Sequence, residues 1–477
     1  MNADERKKLL MDLAALDYRE AENAPNLQRV FLPLPAHSMA LRPEVVIVRG
    51  GRGAGKSALF QMLSTLRTTD EVRAYFADTR LPQATWIDAF SQNAVHPQDT
   101  SLDAFAQTQD EDALRAFWMA HLLLRLADEM PGVADPPENV RALWSQHLSD
   151  PAQWVPIAQQ SLGVIASGLD RFERALTNQK QLVFATYDHL DRLGTFQPLI
   201  RRKYVASLLS LWLSLSNRYR QLRAKIFLRE DLLDAGELGF PDASKLRARS
   251  ISIDWDVESV YRVAVRHFAN QSDELRAWVQ GIKNGVSLSH DEVRGWMPGP
   301  MAEEAQKSFA DQLAGEVMGA GSRKGYTYRW IPNHLQDANR QVVPRSLLVL
   351  LGVAAGRALK QPQTSGPRLL TPQDLVDSLG ETSRRRVSEI QEEYKLVNRL
   401  KHLENKSLLF DEAEVIRLIA NPVEGEPPGL STDGRAVLEE LLRLGVATRR
   451  TDGRIDIPDI YRYGFKILRK GGVARPR

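Results

Sequence analysis

The chain has 477 residues, 43% of them hydrophobic, enough to bury two or three cores, and it is predicted to be multidomain. Its 63 basic residues meet 60 acidic ones, leaving a formal charge of +3 that neither implies nor excludes a polyanionic partner. There are no cysteines, which excludes disulfides, thiolate zinc sites, iron–sulfur ligation and cysteine nucleophiles, and fits a reducing compartment. Met1 to Leu13 is charged from Asp4 to Lys8 and has no apolar run long enough for a signal peptide or membrane span. A soluble cytoplasmic protein without membrane contact is expected.

The first strong signal lies at Glu44 to Val48, a β-branched run of the kind that forms a strand buried on both faces of a parallel sheet. It leads into Gly50-Gly51-Arg52-Gly53-Ala54-Gly55-Lys56-Ser57, a match to the phosphate-loop pattern, and Ala58 to Leu66 then reads as an amphipathic helix with Leu59, Met62 and Leu63 on one face. Glycines let the backbone wrap close to phosphates with its N–H groups aimed inward, and the helix N-terminus adds favourable partial charge. In such a loop Lys56 reaches the β and γ phosphates and Ser57 places its hydroxyl on Mg²⁺. Residues Gly50 to Ala58 are therefore the predicted nucleotide-binding set, with ATP and Mg²⁺ as its ligands.

Val72 to Phe76 reads as strand-like before Asp78, and Trp86 to Phe90, Asp112 to Met130 and Val140 to Leu148 follow with helical spacing. The face bearing Arg115, Phe117, Trp118, Leu122 and Leu123 reads as core. A second buried strand is predicted at Leu182 to Thr186, followed by Tyr187-Asp188-His189-Leu190-Asp191-Arg192-Leu193. Asp188 sits at the strand's end, where a phosphate-loop protein needs an acidic group for magnesium, although Asp is also common in turns after strands. Asp191 fits either the orientation or deprotonation of an attacking water or the capping of the next helix. A helix over about Tyr204 to Arg223 leads to a third strand, Lys225 to Leu228, whose tip carries Arg229. That arginine fits a contact to the γ phosphate or a surface pair with Glu230 or Asp231.

Beyond Ile251 the pattern is mainly helical, with Glu258 to Phe268 amphipathic. Met318 to Tyr326 is a glycine-rich basic loop without the strand and helix that frame the first loop, and it reads as solvated. Pro372 to Leu403 is predicted as one long charged helix with Arg384, Arg385 and Arg386 near its start. A helix at Arg435 to Leu444 is followed by strands at Val446 to Arg450 and Arg454 to Ile457 around the turn Asp452-Gly453, a winged-helix outline. Arg449, Arg450 and Arg454 would line the wing, with Tyr461, Arg462, Lys466, Arg469 and Lys470 after it, and nucleic acid is one partner such a domain could take, protein contacts another.

The order of these pieces resembles the ATPases of the AAA+, STAND and KAP-like groups, through Gly50 to Ser57, the strand ending Tyr187 to Leu193, and the strand ending at Arg229. Trp330 to Leu335 with Val343-Pro344-Arg345-Ser346-Leu347-Leu348 looks like their helical lid, in which Pro-Arg opens a helix. Arg52, the lid segment and Arg469-Lys470-Gly471-Gly472 together resemble a family of poorly characterised bacterial P-loop ATPases, some of which look like antiphage defence components. The resemblance implies an α/β P-loop NTPase core of parallel sheet and flanking helices, a helical lid and a C-terminal winged-helix-like domain. Expected bounds are 1–250 for the core with a helical insertion at about 95–175, 251–365 for the lid and 366–477 for the rest. It further implies phosphate and magnesium roles for Lys56 and Ser57, magnesium coordination by Asp188, and sensor roles for Arg229 and Arg345.

His189 departs from the pattern, since many AAA+ ATPases carry glutamate there; hydrolysis would then be slow or depend on Asp191. No LSGGQ-like segment supports a transporter-type ATPase, and although Asp191 to Gly194 satisfies D-x-x-G, no guanine-reading N/T-K-x-D follows. The expected function is an ATP-dependent molecular switch that engages a protein partner or a second copy of itself. The alternatives are a DNA-binding ATPase that loads on or remodels nucleic acid, and a nucleotide-binding scaffold with little turnover.

Overall fold

Five apolar segments pair in parallel to make the central sheet of the first compact unit, Pro33–Asp254. They are β1 (Ile47–Arg49), β2 (Ala84–Phe90), β3 (Leu182–Tyr187), β4 (Leu222–Leu228) and β5 (Ser250–Ser252), in spatial order β2-β3-β4-β1-β5. The register places Ile47 against Ile226 and Ser250, and Thr186 against Asp88 and Lys225. Every residue of β3 is buried, as a strand covered on both faces requires. This computed structural model describes residues 1–16, 26–66, 68–78, 80–194, 198–233, 244–362, 364–427 and 430–469. Lys470, Gly471 and Gly472 lie outside the described residues.

The sheet of a P-loop NTPase core is thus present, with β4 lying between the strand that precedes the glycine loop and the strand that ends in Asp188. Helices from the insertion cover it. Helix Glu111–Glu129 packs on β2 and on helix Pro198–Arg218, and buries Phe117, Trp118, Leu122 and Leu123. The Trp118 indole donates to the Tyr204 carbonyl at 3.1 Å, and the Tyr204 hydroxyl donates to the Leu102 carbonyl at 2.8 Å, so these two buried aromatic side chains keep their polar atoms bonded. Lys225 in β4 is fully buried: its ammonium donates to the carbonyls of Arg42 and Val45 and lies 4.7 Å over the Phe184 ring. Burial drives its pKa well below the usual lysine value.

Two local expectations are corrected. Val72 to Phe76 belongs to helix Thr69–Phe76, because Thr68 and Glu71 form a capping box that outweighs the aromatic, strand-like composition. Trp86 to Phe90 is part of strand β2; a short apolar run carries too little periodicity to separate helix from strand, and Trp86 stacks on Phe184 of the neighbouring β3.

The second unit comprises Met1–Leu32 and Trp255–Arg477. Its helices include Ala3–Ala14, Val257–Gln271, Glu303–Ala314, Thr327–Leu335, Pro344–Ala358 and Pro372–Glu393. The segment expected as one helix to Leu403 breaks at Tyr394 and continues as the 3-10 helix Lys395–Leu403. Then come strand Ser407–Leu408, helices Glu412–Ile419 and Gly434–Arg443, and a hairpin of Thr448–Arg449 with Ile455–Asp456 turning at Gly453, whose φ is 80°. Phe410 bridges Ile455 in antiparallel fashion, so the hairpin's second strand pairs with the segment between the first two helical pieces. That order and pairing is a winged-helix arrangement. Among the described residues no helix is long and apolar enough to cross a membrane.

Candidate functional site

The glycine loop leaves β1 at Gly50, where a Cβ would sit 3.1 Å from the Ala54 Cβ and 3.4 Å from the Ile253 carbonyl oxygen, so a side chain there would have to push its neighbours back by a few tenths of an ångström. Gly55, at φ 94°, takes the left-handed conformation that turns the chain into helix Lys56–Thr65. No side chain caps this helix, so its first N–H groups are left facing the loop's concave side. Lys56 donates from Nζ to the carbonyls of Gly50 at 2.9 Å and Gly51 at 3.1 Å, which holds the ammonium against the loop. Leu59, Met62 and Leu63 anchor the helix in the core, and Phe60 meets Phe227 of β4 edge to face at 5.9 Å. Arg52, Gly53 and Ala54 form the turn between, and Ala58 is buried in the first helical turn.

On the other side of β4, Asp188 follows β3 with its N–H donating to the Phe90 carbonyl at 2.9 Å. Its side chain is 4% exposed, and the Ser57 side chain is near enough to its carboxylate to help lower its pKa. Burial raises the Asp188 pKa and Asp191 adds to the rise, while His189 and Ser57 oppose it. Among the described residues Oδ2 of Asp188 has no hydrogen-bond partner, and His189 Nδ1 lies 3.7 Å from it. A buried carboxylate oxygen left so next to a serine hydroxyl suits a hard cation that takes few protein oxygens. His189 itself is held at φ 60°, an uncommon conformation for a side-chain-bearing residue.

Arg229, at the tip of β4, is 4% exposed and lies 4.0 Å through Nη1 from Asp191 Oδ2. Asp191 is 34% exposed, so this pair joins a buried cation to an anion at the rim. Glu230, the residue after it, pairs with Arg49 at 2.5 Å. Arg49 was not singled out from the sequence; a charged residue ending a buried strand one position before Gly50 was the available signal. The loop, Asp188, Asp191 and Arg229 all belong to the first unit. Arg345 belongs to the second, at the start of helix Pro344–Ala358, where Nη1 meets Glu389 at 3.3 Å.

Of the basic residues singled out in the C-terminal region, those within the described residues are each matched by a carboxylate. Arg384 and Arg385 pair with Glu381, Arg386 with Glu389, Arg449 with Glu412 and Glu439, and Arg454 with Asp452. Arg450 and Arg469 meet Asp456, Arg462 meets Asp459, and Lys466 meets Glu404.

No known family profile matches the chain, and no curated protein matches it in sequence. Among solved structures, the Walker-type ATPase of Pyrococcus abyssi aligns over 94% of this chain and 95% of its own at 13% identity, with a TM-score of 0.36. The ORC1 protein of Aeropyrum pernix, solved in complex with DNA, aligns over 94% and 96% at 12% identity with a TM-score of 0.36. The ORC2 protein of the same organism, solved with ADPNP and ADP, aligns over 93% and 99% at 11% identity with a TM-score of 0.32. At such scores the likeness carries no functional argument, and the reading rests on the residues of the site.

Proposed function

We propose that the chain is a Mg²⁺-dependent ATPase of the AAA+ type acting as a nucleotide-controlled switch. The single observation that carries this reading is the meeting of Ser57, next to Lys56 in the glycine loop, with the buried carboxylate of Asp188 across the end of β4. Gly50 to Ala58 would wrap the phosphates with backbone N–H groups, and Lys56 would leave the Gly50 and Gly51 carbonyls for the β and γ oxygens. Ser57 and Asp188 would hold the metal, which when bound neutralises charge developing on the phosphates. Asp191 would orient the attacking water, with Arg229 at the γ phosphate end, paired to Asp191 when no phosphate competes. Arg345, which meets Glu389 at the start of helix Pro344–Ala358, would keep the lid-sensor role that the resemblance implies.

Such a switch changes what its outer domains hold, a protein partner or a second copy of the chain, as nucleotide comes and goes. The resemblance to defence-associated ATPases suggests antiphage defence as its setting. A DNA-binding ATPase is the second reading, favoured by the winged-helix order of residues 407–456 but opposed by the carboxylate held beside every cation of that region named above. A scaffold with little turnover is the third, favoured by His189.

The test is ATP turnover by wild type and Lys56→Ala, with and without duplex DNA, at low and physiological salt. Turnover lost in the variant and indifferent to DNA supports the switch. Turnover raised by DNA with steep salt dependence supports the second reading, and none in wild type supports the scaffold.

A further inference from the structure

A cleft of about 490 Å³ opens within the second unit, among residues that the nucleotide site does not use. Gln336 and Ala338 reach it from the loop after helix Thr327–Leu335, and Thr448, Arg450, Asp456 and Arg469 from the hairpin and the strand Leu468–Arg469. Its size suits a small metabolite rather than one or two waters. Bonds within the protein fix its shape. Asp337 braces its own loop, with Oδ1 accepting from the N–H groups of Asn339 and Gln341 at 2.9 Å each, and its N–H donates to the Gln341 carbonyl at 3.1 Å. The Ala338 N–H donates to the Gly445 carbonyl at 2.9 Å, which ties that loop to the residues leading into the hairpin. Across the hairpin Thr448 pairs with Asp456, so their side chains share a face, and Arg469 is placed by the parallel pairing of its strand with Ser407–Leu408.

Two guanidiniums converge on one carboxylate here. Asp456 is 1% exposed; its Oδ1 accepts from Arg469 Nη2 at 2.9 Å, and its Oδ2 lies 3.8 Å from Arg450 Nη1. Burial pushes the Asp456 carboxyl pKa up, and the charges of Arg469 and Arg450 oppose the rise. Among the described residues Asp456 Oδ2 and the Arg469 atoms Nε and Nη1 are buried without a hydrogen-bond partner. Arg469 Nε lies 3.8 Å from Asp459 Oδ1, which accepts from Arg462 Nε at 2.7 Å. One guanidinium therefore keeps N–H groups to give, and the carboxylate bonded to it keeps an oxygen to receive. Buried polar atoms so left are costly, and a ligand that offers an oxyanion to the first and a hydroxyl to the second removes the cost.

The guanidinium is the side chain whose planar fork matches carboxylate and phosphate oxygens, and the Gln336 amide and Thr448 hydroxyl add neutral donors and acceptors to the lining. We propose that this cleft binds a small hydroxylated metabolite with one phosphate or carboxylate head, the head received by Arg469 and Arg450 and a hydroxyl by Asp456. Such a ligand would brace the hairpin against the loop after helix Thr327–Leu335. The proposal goes beyond the nucleotide reading and does not depend on it.

The test is calorimetric titration of the full-length Lys56→Ala protein, whose glycine loop lacks its phosphate-binding lysine, with glycerol 3-phosphate, glycerate and glycerol at matched ionic strength. Amide exchange over residues 336–341 and 448–456 locates the binding. One or both of the charged probes is expected to bind and to slow exchange in these two segments, while glycerol, which has no anionic head, does neither; which head binds tells phosphate from carboxylate. Arg469→Lys keeps a cation beside Asp456 but loses the fork, and is expected to weaken binding at least ~tenfold. Ala338→Phe leaves both guanidiniums in place and fills the cleft, and is expected to lose binding as well. Binding by neither charged probe, or binding that both folded variants leave unchanged, overturns the proposal. Protection of the two segments by duplex DNA but by neither probe would assign the cleft to a nucleic-acid backbone and overturn it too. The nucleotide reading fails separately, if Lys56→Ala leaves ATP affinity unchanged.

Discussion

Arg229 Nη1 lies 4.0 Å from Asp191 Oδ2, so the tip of β4 is tied to the acidic turn after β3 by an ion pair with one buried and one solvent-facing partner. Arg229→Ala is expected to lower kcat for ATP by ~10–100-fold while changing nucleotide affinity only a few-fold, because an interaction made mainly with developing charge is lost. Steady-state turnover beside equilibrium binding of a fluorescent ATP analogue measures the split. A matching loss in affinity and turnover would assign Arg229 to ground-state binding instead.

Asp188→Asn is expected to abolish turnover and to raise the melting temperature. The sign follows from burial: the carboxyl pKa is raised in the folded state above its unfolded value. The stability it contributes is therefore full at acid pH and lost as pH rises from the usual carboxylate range through the folded pKa. Asparagine does not titrate, so the gain in melting temperature should be larger at pH 8 than at pH 5. A melting temperature that falls at both pH values would show that the carboxylate is needed for packing.

His189 occupies φ 60° beside Asp188, where it cannot act as a carboxylate base. His189→Glu is expected to raise kcat by ~10–100-fold, within the range that a positioned base supplies. Asp191→Asn in the wild-type background should lower kcat, and the combination with His189→Glu should restore most of it. Turnover unchanged in His189→Glu would remove position 189 from the hydrolysis step.

The Arg399 guanidinium is fully buried, donates bidentately to Glu426 and also reaches the carbonyls of Ile419, Ala420 and Ser431. It ties the residues after helix Glu412–Ile419 to the 3-10 helix before it. Arg399→Ala leaves a buried carboxylate and three carbonyls behind, and is expected to cost ~3–5 kcal/mol in the unfolding of the second unit. Chemical denaturation checks this; a cost below about 1 kcal/mol would mean that water replaces the guanidinium.

Residues 44–66 were legible because their information is local: a β-branched run, a glycine pattern and an amphipathic helix follow one another within one supersecondary unit. Asp188 was legible for the same reason, as the first acidic residue after an all-apolar strand. The partner of Arg229 was not, because Asp191 lies 38 positions earlier and only the pairing of β3 with β4 brings the two turns together. The contacts of His96 with Asp88 and with His121, each at 3.0 Å, were hidden twice. Asp88 sits in a run whose strand character depends on β3 beside it, and His121 lies on a helix whose apolar face reads as core throughout. Thr68 and Glu71 did carry the local signal for helix Thr69–Phe76, as a capping box that composition alone masks.

The carboxylates beside the cations of the winged-helix region bear on kinetics as much as on affinity. The hairpin cations Arg449, Arg450 and Arg454 are each answered by a nearby carboxylate, so they cast little field at a distance and add little long-range attraction. Encounters would proceed at the unsteered pace of ~10⁵–10⁶ per molar per second and vary little with ionic strength. Selectivity would then reside in dissociation: a partner that displaces Glu412 and Glu439 from Arg449 stays, and one that cannot leaves at once.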